Sequence, residues 1–396
     1  MQTETGSLRS SSFLSSAHRP GFAISFAVVL LLIVIAPRQT FASSWTKPEH
    51  GWLLVLDTNE FGDEGQILLV DPQAGLIRGK ISTGVRPDFA LSRDGTRLYV
   101  TAGNAGMGSL SVYDTSTGTL AQVIELPDHL QYTTVGPSYP LLAVSPDGRR
   151  VYIENMRMVS LGVDEYKIAT FDTLSGTLLP ESAMLPACGP GRFISVGMGG
   201  WDFQMHCFFT NSVQSVKVTP SGSNAQTASL SLPENDSAVA DPVVAKVMKH
   251  VSAVVPISNA TLAAIRPDGA VWVTSDEGAS FQPTAITARE GRWVPMKSWP
   301  ISPDNSTLYI GSAPLSQRSR NLADDIAVVD TRTFQLITTI QPGISFFSIA
   351  LSGDGRHLYA VTPEQRSISV INTSSGRLEQ TLSGIGQSPA FVLTLP

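Results

Sequence analysis

Cysteine is nearly absent from this 396-residue chain, which has only Cys188 and Cys207. An even pair leaves room for one disulfide closing a 19-residue loop, for two buried thiols, or for a metal pair. No histidine cluster stands near enough to complete a zinc site, and His206 alone is weak support for one. Charge is scarce too, at 15% of residues, and its balance is acidic, with a formal net charge of −6. An acidic chain without a basic run argues against a nucleic-acid partner. After residue 36 no stretch is long or apolar enough to span a membrane. The six histidines form no His-x-His or Glu-x-x-His pair, and no G-x-S-x-G elbow occurs. A metal centre and a serine-hydrolase triad therefore lack their usual signs.

What the chain has in quantity is hydrophobic residues, at 42%, with 33 glycines and 26 prolines. That is enough apolar chain to bury a large core, and the Gly and Pro fit a fold full of tight turns. The first 45 residues stand apart. Arg9, His18 and Arg19 precede a 15-residue apolar run, Phe22 to Ala36, followed by Pro37 and by Thr40-Phe41-Ala42 ahead of Ser43. This order reads as a secretory signal or an uncleaved membrane anchor, with a buried core helix as the third reading, and the first two place the rest of the chain outside the cytoplasm.

Two phrases recur. The first is a turn before a strand: Ser92-Arg93-Asp94-Gly95 before RLYV, Ser145-Pro146-Asp147-Gly148 before RVYI, Ser302-Pro303-Asp304-Asn305 before TLYI, and Ser352-Gly353-Asp354-Gly355 before HLYAV. Pro267-Asp268-Gly269 before VWV reads as a weaker copy. Pro presets φ, Asp bonds nearby backbone and Gly or Asn tolerates positive φ, while the alternation after the turn reads as a half-buried strand. The second phrase is a hairpin, a strand ending in Asp or Asn, a loop to Gly and another strand, as in LSVYDTSTGTLAQVI from Leu110. Copies begin at Leu68, Ile168, Ile326 and Ile368, and degraded ones at Val213 and Val271.

Spacing decides the architecture. Ser92 to Ser145 is 53 residues, Ser302 to Ser352 is 50, and the 157 residues between Ser145 and Ser302 hold three more periods. Residues 46–396 therefore accommodate seven units of about 50, the length of a four-stranded propeller blade. The expected fold is an all-β, seven-bladed β-propeller over 46–396, preceded by the signal or anchor segment 1–45. An open ring would expose a strand edge, so Trp52 to Asp57 is expected to pair beside Ala390 to Leu395.

Three intervals remain as candidate sites. Cys188 to Phe209 is Gly-rich, but no GK[ST] follows, and it reads as a braced loop between blades with Trp201 and Phe203 packed nearby. Arg292-Trp293 with Met296 to Trp299 reads as blade packing or a channel mouth. Gln317 to Asp325 is a polar loop, solvated or partner-binding.

The run Pro186-Ala187-Cys188, then Met205-His206-Cys207 followed by FF, resembles the heavy chain of methylamine dehydrogenase, the large-subunit family of quinoprotein amine dehydrogenases. Gly291-Arg292-Trp293-Val294-Pro295 with Trp299, the stretch IAVVDTRTFQLITTI, and Ile385-Gly386-Gln387-Ser388-Pro389 agree in order and spacing. The likeness covers most of residues 50–396, although the D-x-x-[ST]-G hairpins alone are shared by many YVTN-type propellers. The resemblance implies a periplasmic propeller with a Cys188–Cys207 disulfide and no cofactor of its own. It implies a small cysteine-rich light chain, in a heterotetramer, carrying tryptophan tryptophylquinone that oxidises primary amines to aldehyde and ammonia. A small copper protein or a cytochrome would take the electrons. At Thr101 to Ser109 (TAGNAGMGS) the chain is shorter than the family, which has a bulky channel-lining residue there, so no channel residue is carried over. Two other readings stay open: a stand-alone periplasmic propeller that binds a protein or ligand without catalysis, and a propeller hydrolase or lactonase with a central metal.

Overall fold

The computed structural model describes residues 45–396 apart from 59–63, 86, 105–106, 127–141, 161–162, 180–182, 185–190, 198–200, 208–209, 219–225, 233–252, 258–260, 266–269, 275–279, 285–290, 294–298 and 315–321. The expected signal or anchor, 1–45, lies almost wholly outside them. The residues from Ala42 to Pro396 make up one compact unit.

The described residues contain strands and no helix, arranged in seven antiparallel sheets. In the first, β1 (Leu53–Asp57), β2 (Glu64–Asp71) and β3 (Leu76–Val85) follow one another outward. The second holds β4 (Asp88–Leu91), β5 (Arg97–Asn104), β6 (Met107–Asp114) and β7 (Leu120–Leu126). The third holds β8 (Leu142–Val144), β9 (Arg150–Ser160) and β10 (Val163–Asp172), edged by β11 (Thr177–Leu178) and β12 (Ala183–Met184). The fourth holds β13 (Gly191–Val196), β14 (Phe203–Cys207), β15 (Ser212–Lys217) and β16 (Gln226–Ser231). The fifth holds β17 (Ala253–Pro256), β18 (Leu262–Ile265), β19 (Val271–Thr274) and β20 (Phe281–Pro283). The sixth holds β21 (Gly291–Trp293), β22 (Thr307–Pro314), β23 (Asp325–Asp330) and β24 (Leu336–Ile340). The seventh holds β25 (Ser348–Leu351), β26 (His357–Thr362), β27 (Ser367–Asn372) and β28 (Leu378–Ser383). The last strand, β29 (Pro389–Thr394), returns to the first sheet and pairs with β1, Leu54 opposite Leu393 and Leu56 opposite Phe391. The expected seven-bladed propeller is the observed fold. Its ring closes as expected, with three strands of blade 1 from the start of the chain and one from its end.

The core is a ring of apolar layers between neighbouring blades. In β1, Leu54 and Leu56 enter the layer shared with blade 2, while Leu53 and Val55 enter the layer shared with blade 7. In β5, Leu98 and Val100 face blade 1, and Tyr99 faces blade 3. Both faces of these strands are therefore buried, which corrects the expectation of half-buried strands: a blade has a neighbour on each side, so its middle strands read as continuous apolar runs. Each fully buried Leu or Ile contributes about 1.5–3 kcal/mol. Polarity falls instead on the outermost strands, with β7 and β28 exposed along most of their length.

The turn between the first and second strands explains the first repeated phrase. Ser92 donates its hydroxyl to Asp94 Oδ1 at 2.6 Å and accepts the Arg97 N–H at 2.9 Å, while Gly95, at φ +71°, closes the turn onto the Ser92 carbonyl. Ser145 with Asp147, Ser302 with Asp304 and Ser352 with Asp354 repeat this geometry. The second phrase is an Asx turn, in which Asp114, Asp172, Asp330 and Asn372 accept backbone N–H groups two and three residues on. The threonine after each of these four acceptors ties the two turns together. Thr115, Thr173, Thr331 and Thr373 donate to the carbonyls of Gly95, Gly148, Asn305 and Gly355. Blade 1 has no such first turn, because the chain begins and ends there, and its hairpin carries Pro72 in the threonine's place.

One copy of the first phrase is misplaced by the sequence reading. Pro267-Asp268-Gly269 lies outside the described residues, but it falls between β18 and β19, the second and third strands of blade 5. The first connection of that blade is the run from Ile257 to Thr261, with no Pro-Asp-Gly in it.

Candidate functional site

The two ends of the propeller differ. At the turn end lie the short connections just described. At the other end lie the crossovers from each outer strand to the next blade's inner strand, and two of these are long: 127–141 separates β7 from β8, and 232–252 separates β16 from β17. Long loops carried on a rigid scaffold are where binding residues are commonly found.

The Cys188 to Phe209 interval starts and ends at this crossover end, and its middle, between β13 and β14, reaches the turn end. The braced loop expected between blades is corrected: half of the interval forms β13 and β14, the two inner strands of blade 4, with a bulge between Phe193 and Ser195. Glycine obscures the strand pattern there, and the bulge absorbs the lost register. Phe203 is fully buried and packs on Tyr152 and Phe193, with ring centroids 4.9 and 5.5 Å away. Burial pushes the Tyr152 hydroxyl up to about 12, so it stays protonated at any physiological pH. Trp201 is half-buried beside Asp202, which accepts the Val218 N–H at 2.6 Å and lies 3.8 Å from the Arg150 guanidinium of blade 3.

His206 and Cys207 end β14 at the crossover end, both wholly shielded from solvent. Cys207 is opposite Gly191, three residues after Cys188. Cys207 is not a free thiol. Cys188 lies outside the described residues, so the expected Cys188–Cys207 pairing is carried forward as a proposal.

Trp299 is buried within the apolar layer of blades 5 to 7, as ordinary packing requires. The side chains from Gly291 to Lys297 are outside the described residues. The polar interval Gln317 to Asp325 connects β22 to β23. Within it Leu322 and Ala323 are buried, Ala323 bridging to Phe346. The short stretch Thr101 to Ser109 is a tight hairpin, Ala102 opposite Ser109 and Asn104 opposite Met107.

Asp57 escaped notice in the sequence. Its buried carboxylate accepts the backbone N–H groups of Gln387 and Ser388 and the side-chain amide of Gln66. Nearby in the same end, Ser345 donates to Asp324 at 2.6 Å, and Thr362 donates to the Ser345 carbonyl at 2.9 Å. These bonds hold the crossovers and need no ligand. Among the described residues no group of three or more His, Cys, Asp or Glu side chains could hold a metal ion.

No protein-family model and no curated protein matches the sequence. Solved structures match by fold. A protein of unknown function from Desulfotomaculum acetoxidans superposes with a TM-score of 0.61 and 11% identity, over 86% of this chain and 98% of its own. The periplasmic gluconolactonase of Pseudomonas aeruginosa gives 0.59 and 16%, over 88% and 100%. Dihydro-heme d1 dehydrogenase gives 0.54 and 13%, over 89% and 77%. These likenesses are of the propeller alone; their chemistry differs from one to the next, and the fold hosts all of it.

Proposed function

We propose that this chain is a periplasmic propeller platform, the large, cofactor-free subunit of a quinoprotein amine dehydrogenase. The observation that carries the reading is the interval from Cys188 to Cys207, where Pro-Ala-Cys and Met-His-Cys resemble the amine dehydrogenase heavy chain and Met205, His206 and Cys207 close β14 at the end with the long crossovers. A disulfide between Cys188 and Cys207 would brace the entry to blade 4 at that end. In this reading a small cysteine-rich light chain docks on the crossover face and supplies tryptophan tryptophylquinone, which oxidises primary amines. This chain's own residues position that partner: its stacked blades give a rigid face, and its loops give the contacts.

The test is co-production of the full chain with any small Cys- and Trp-rich protein that the source genome encodes beside it. The expected outcome is a stable complex with amine-dependent dye reduction that neither chain shows alone. A chain that purifies without a partner, and gives no activity with any such neighbour, would leave the stand-alone binding propeller as the function.

A further inference from the structure

At the turn end, four junctions between neighbouring blades are sealed by a recurring contact, a side chain of one blade packed against a turn glycine of the other. A methyl group on Gly197 would come within 2.5 Å of Pro146, one on Gly95 within 2.7 Å of Pro396, and one on Gly355 within 3.1 Å of Pro303. Between blades 7 and 1, His50 lies 3.1 Å from the same point on Gly353. Blades 2 and 3 break the rule. The turn of blade 2 has Arg93 where a proline would stand, and nothing lies within 4 Å of Gly148 opposite it.

A cleft of about 760 Å³ opens at this junction, within the ~300–1,000 Å³ range of small-molecule sites. The buried rings of Tyr99 and Phe171 line part of it. Its walls carry charge of both signs, Arg93 and Arg97 with Asp94 and Asp147. Arg97 is already paired with Asp114 at 3.3 Å. The exposed Arg93 guanidinium has only a long bond to the Pro146 carbonyl, at 3.5 Å. Asp94 and Asp147 are held ionised by the serine hydroxyls of their own turns. Arg149 offsets part of the charge of Asp147. What remains is one cationic and one anionic demand beside the two rings, and an electrostatically matched occupant carries both charges.

We propose that the cleft between blades 2 and 3 binds a small zwitterion of the amino-acid or dipeptide class, its carboxylate on Arg93 and its ammonium group against Asp94 and Asp147. The site is on the turn end, away from the crossovers, and does not depend on a light chain.

The test is calorimetric titration of the full chain with L-leucine, L-glutamate, L-lysine and glycyl-leucine, with acetate and butylammonium as single-charge controls. Saturable binding of at least one zwitterion is expected, at least tenfold tighter than either control. Arg93→Pro, which restores the turn phrase of blades 3 and 6, should weaken it at least tenfold and leave the thermal midpoint unchanged or higher. Arg93→Gln should weaken it similarly, and covers the case in which the proline variant folds poorly. No saturable heat from any zwitterion, equal binding of acetate, or unchanged affinity in both variants would each overturn the proposal.

Discussion

The carboxylate of Asp57 accepts the backbone N–H of Ser388 at 2.5 Å, across 331 positions of chain. It also accepts the neighbouring N–H of Gln387 at 2.9 Å. Asp57 ends β1, and Gln387 and Ser388 lead into β29, so one side chain pins the chain's end to its beginning at the crossover end. Gly386 is shaped by the same contact: at φ +67° a methyl group there would fall 2.4 Å from the Asp57 carboxyl carbon. Asp57→Ala would leave two backbone N–H groups without their acceptor, at a cost of about 2–4 kcal/mol. Urea unfolding should show that loss, and amide exchange along β29 should speed up more than exchange in blades 3 to 5. Uniform acceleration around the ring would show that Asp57 is not a closure clamp.

The periodicity of the fold was legible because turns and hairpins are local chemistry: Asp, Gly and Pro must stand at fixed offsets wherever the chain reverses. What crossed between blades was not legible. Leu53 and Leu54 are equally apolar on paper, yet one packs toward blade 7 and the other toward blade 2. Arg93 was visible as a departure from Pro, but its meaning depends on Gly148 in the next blade, 55 residues on. Pro267-Asp268-Gly269 misled because a Pro-Asp-Gly turn suits any reversal, and only strand pairing shows which one. Asp57 has no motif around it, since its partners are backbone groups at the other end of the chain.

The threonine that follows the hairpin aspartate should behave as a latch between two turns. Thr331 donates to the Asn305 carbonyl at 2.5 Å and Thr115 to the Gly95 carbonyl at 2.5 Å. Replacing either by valine keeps the shape and removes the donor, so each variant should lose about 0.5–1.5 kcal/mol in chemical denaturation. Pro72→Thr is the control, because blade 1 has no first turn to receive the bond, and it should gain nothing. A stabilised Pro72→Thr variant would point to a local turn effect instead.

Acid should loosen the turn end selectively. Hydrogen bonds from turn hydroxyls and backbone N–H groups hold Asp94, Asp114, Asp147, Asp172, Asp330 and Asp354 below their ordinary value of 3.8, and Asp304 down to about 2. A carboxylate whose folded pKa is depressed contributes stability that is present above its unfolded pKa and lost as pH falls through the folded one. The urea midpoint should therefore be insensitive to these groups from pH 8 to 5, then drop between about pH 4 and 2. The double variant Asp304→Asn, Asp354→Asn should show a smaller drop between pH 6 and 2.5. An equal drop would assign the acid response to other groups.

The first described residue is also tied down, and its role can be tested by truncation. Trp45 donates its indole N–H to the Thr115 carbonyl at 2.7 Å, and Thr46 donates its N–H to the Arg78 carbonyl at 3.0 Å. The ring lies where side chains on Gly79 and Gly118 would otherwise be, since a methyl group on either would come within 2.5 or 2.3 Å of it. Trp45 thus straps the outer strand of blade 1 to the hairpin of blade 2. Two glycines with no turn in common are both required by one indole. Trp45→Ala should cost about 1–3 kcal/mol, from lost apolar burial and the lost bond. A chain beginning at Glu49 should lose about as much, and adding Trp45→Ala to a Gly118→Ala variant should cost less than it does alone, because the clash has already displaced the ring. Strict additivity of the two substitutions would mean that the indole does not occupy the Gly118 site in solution.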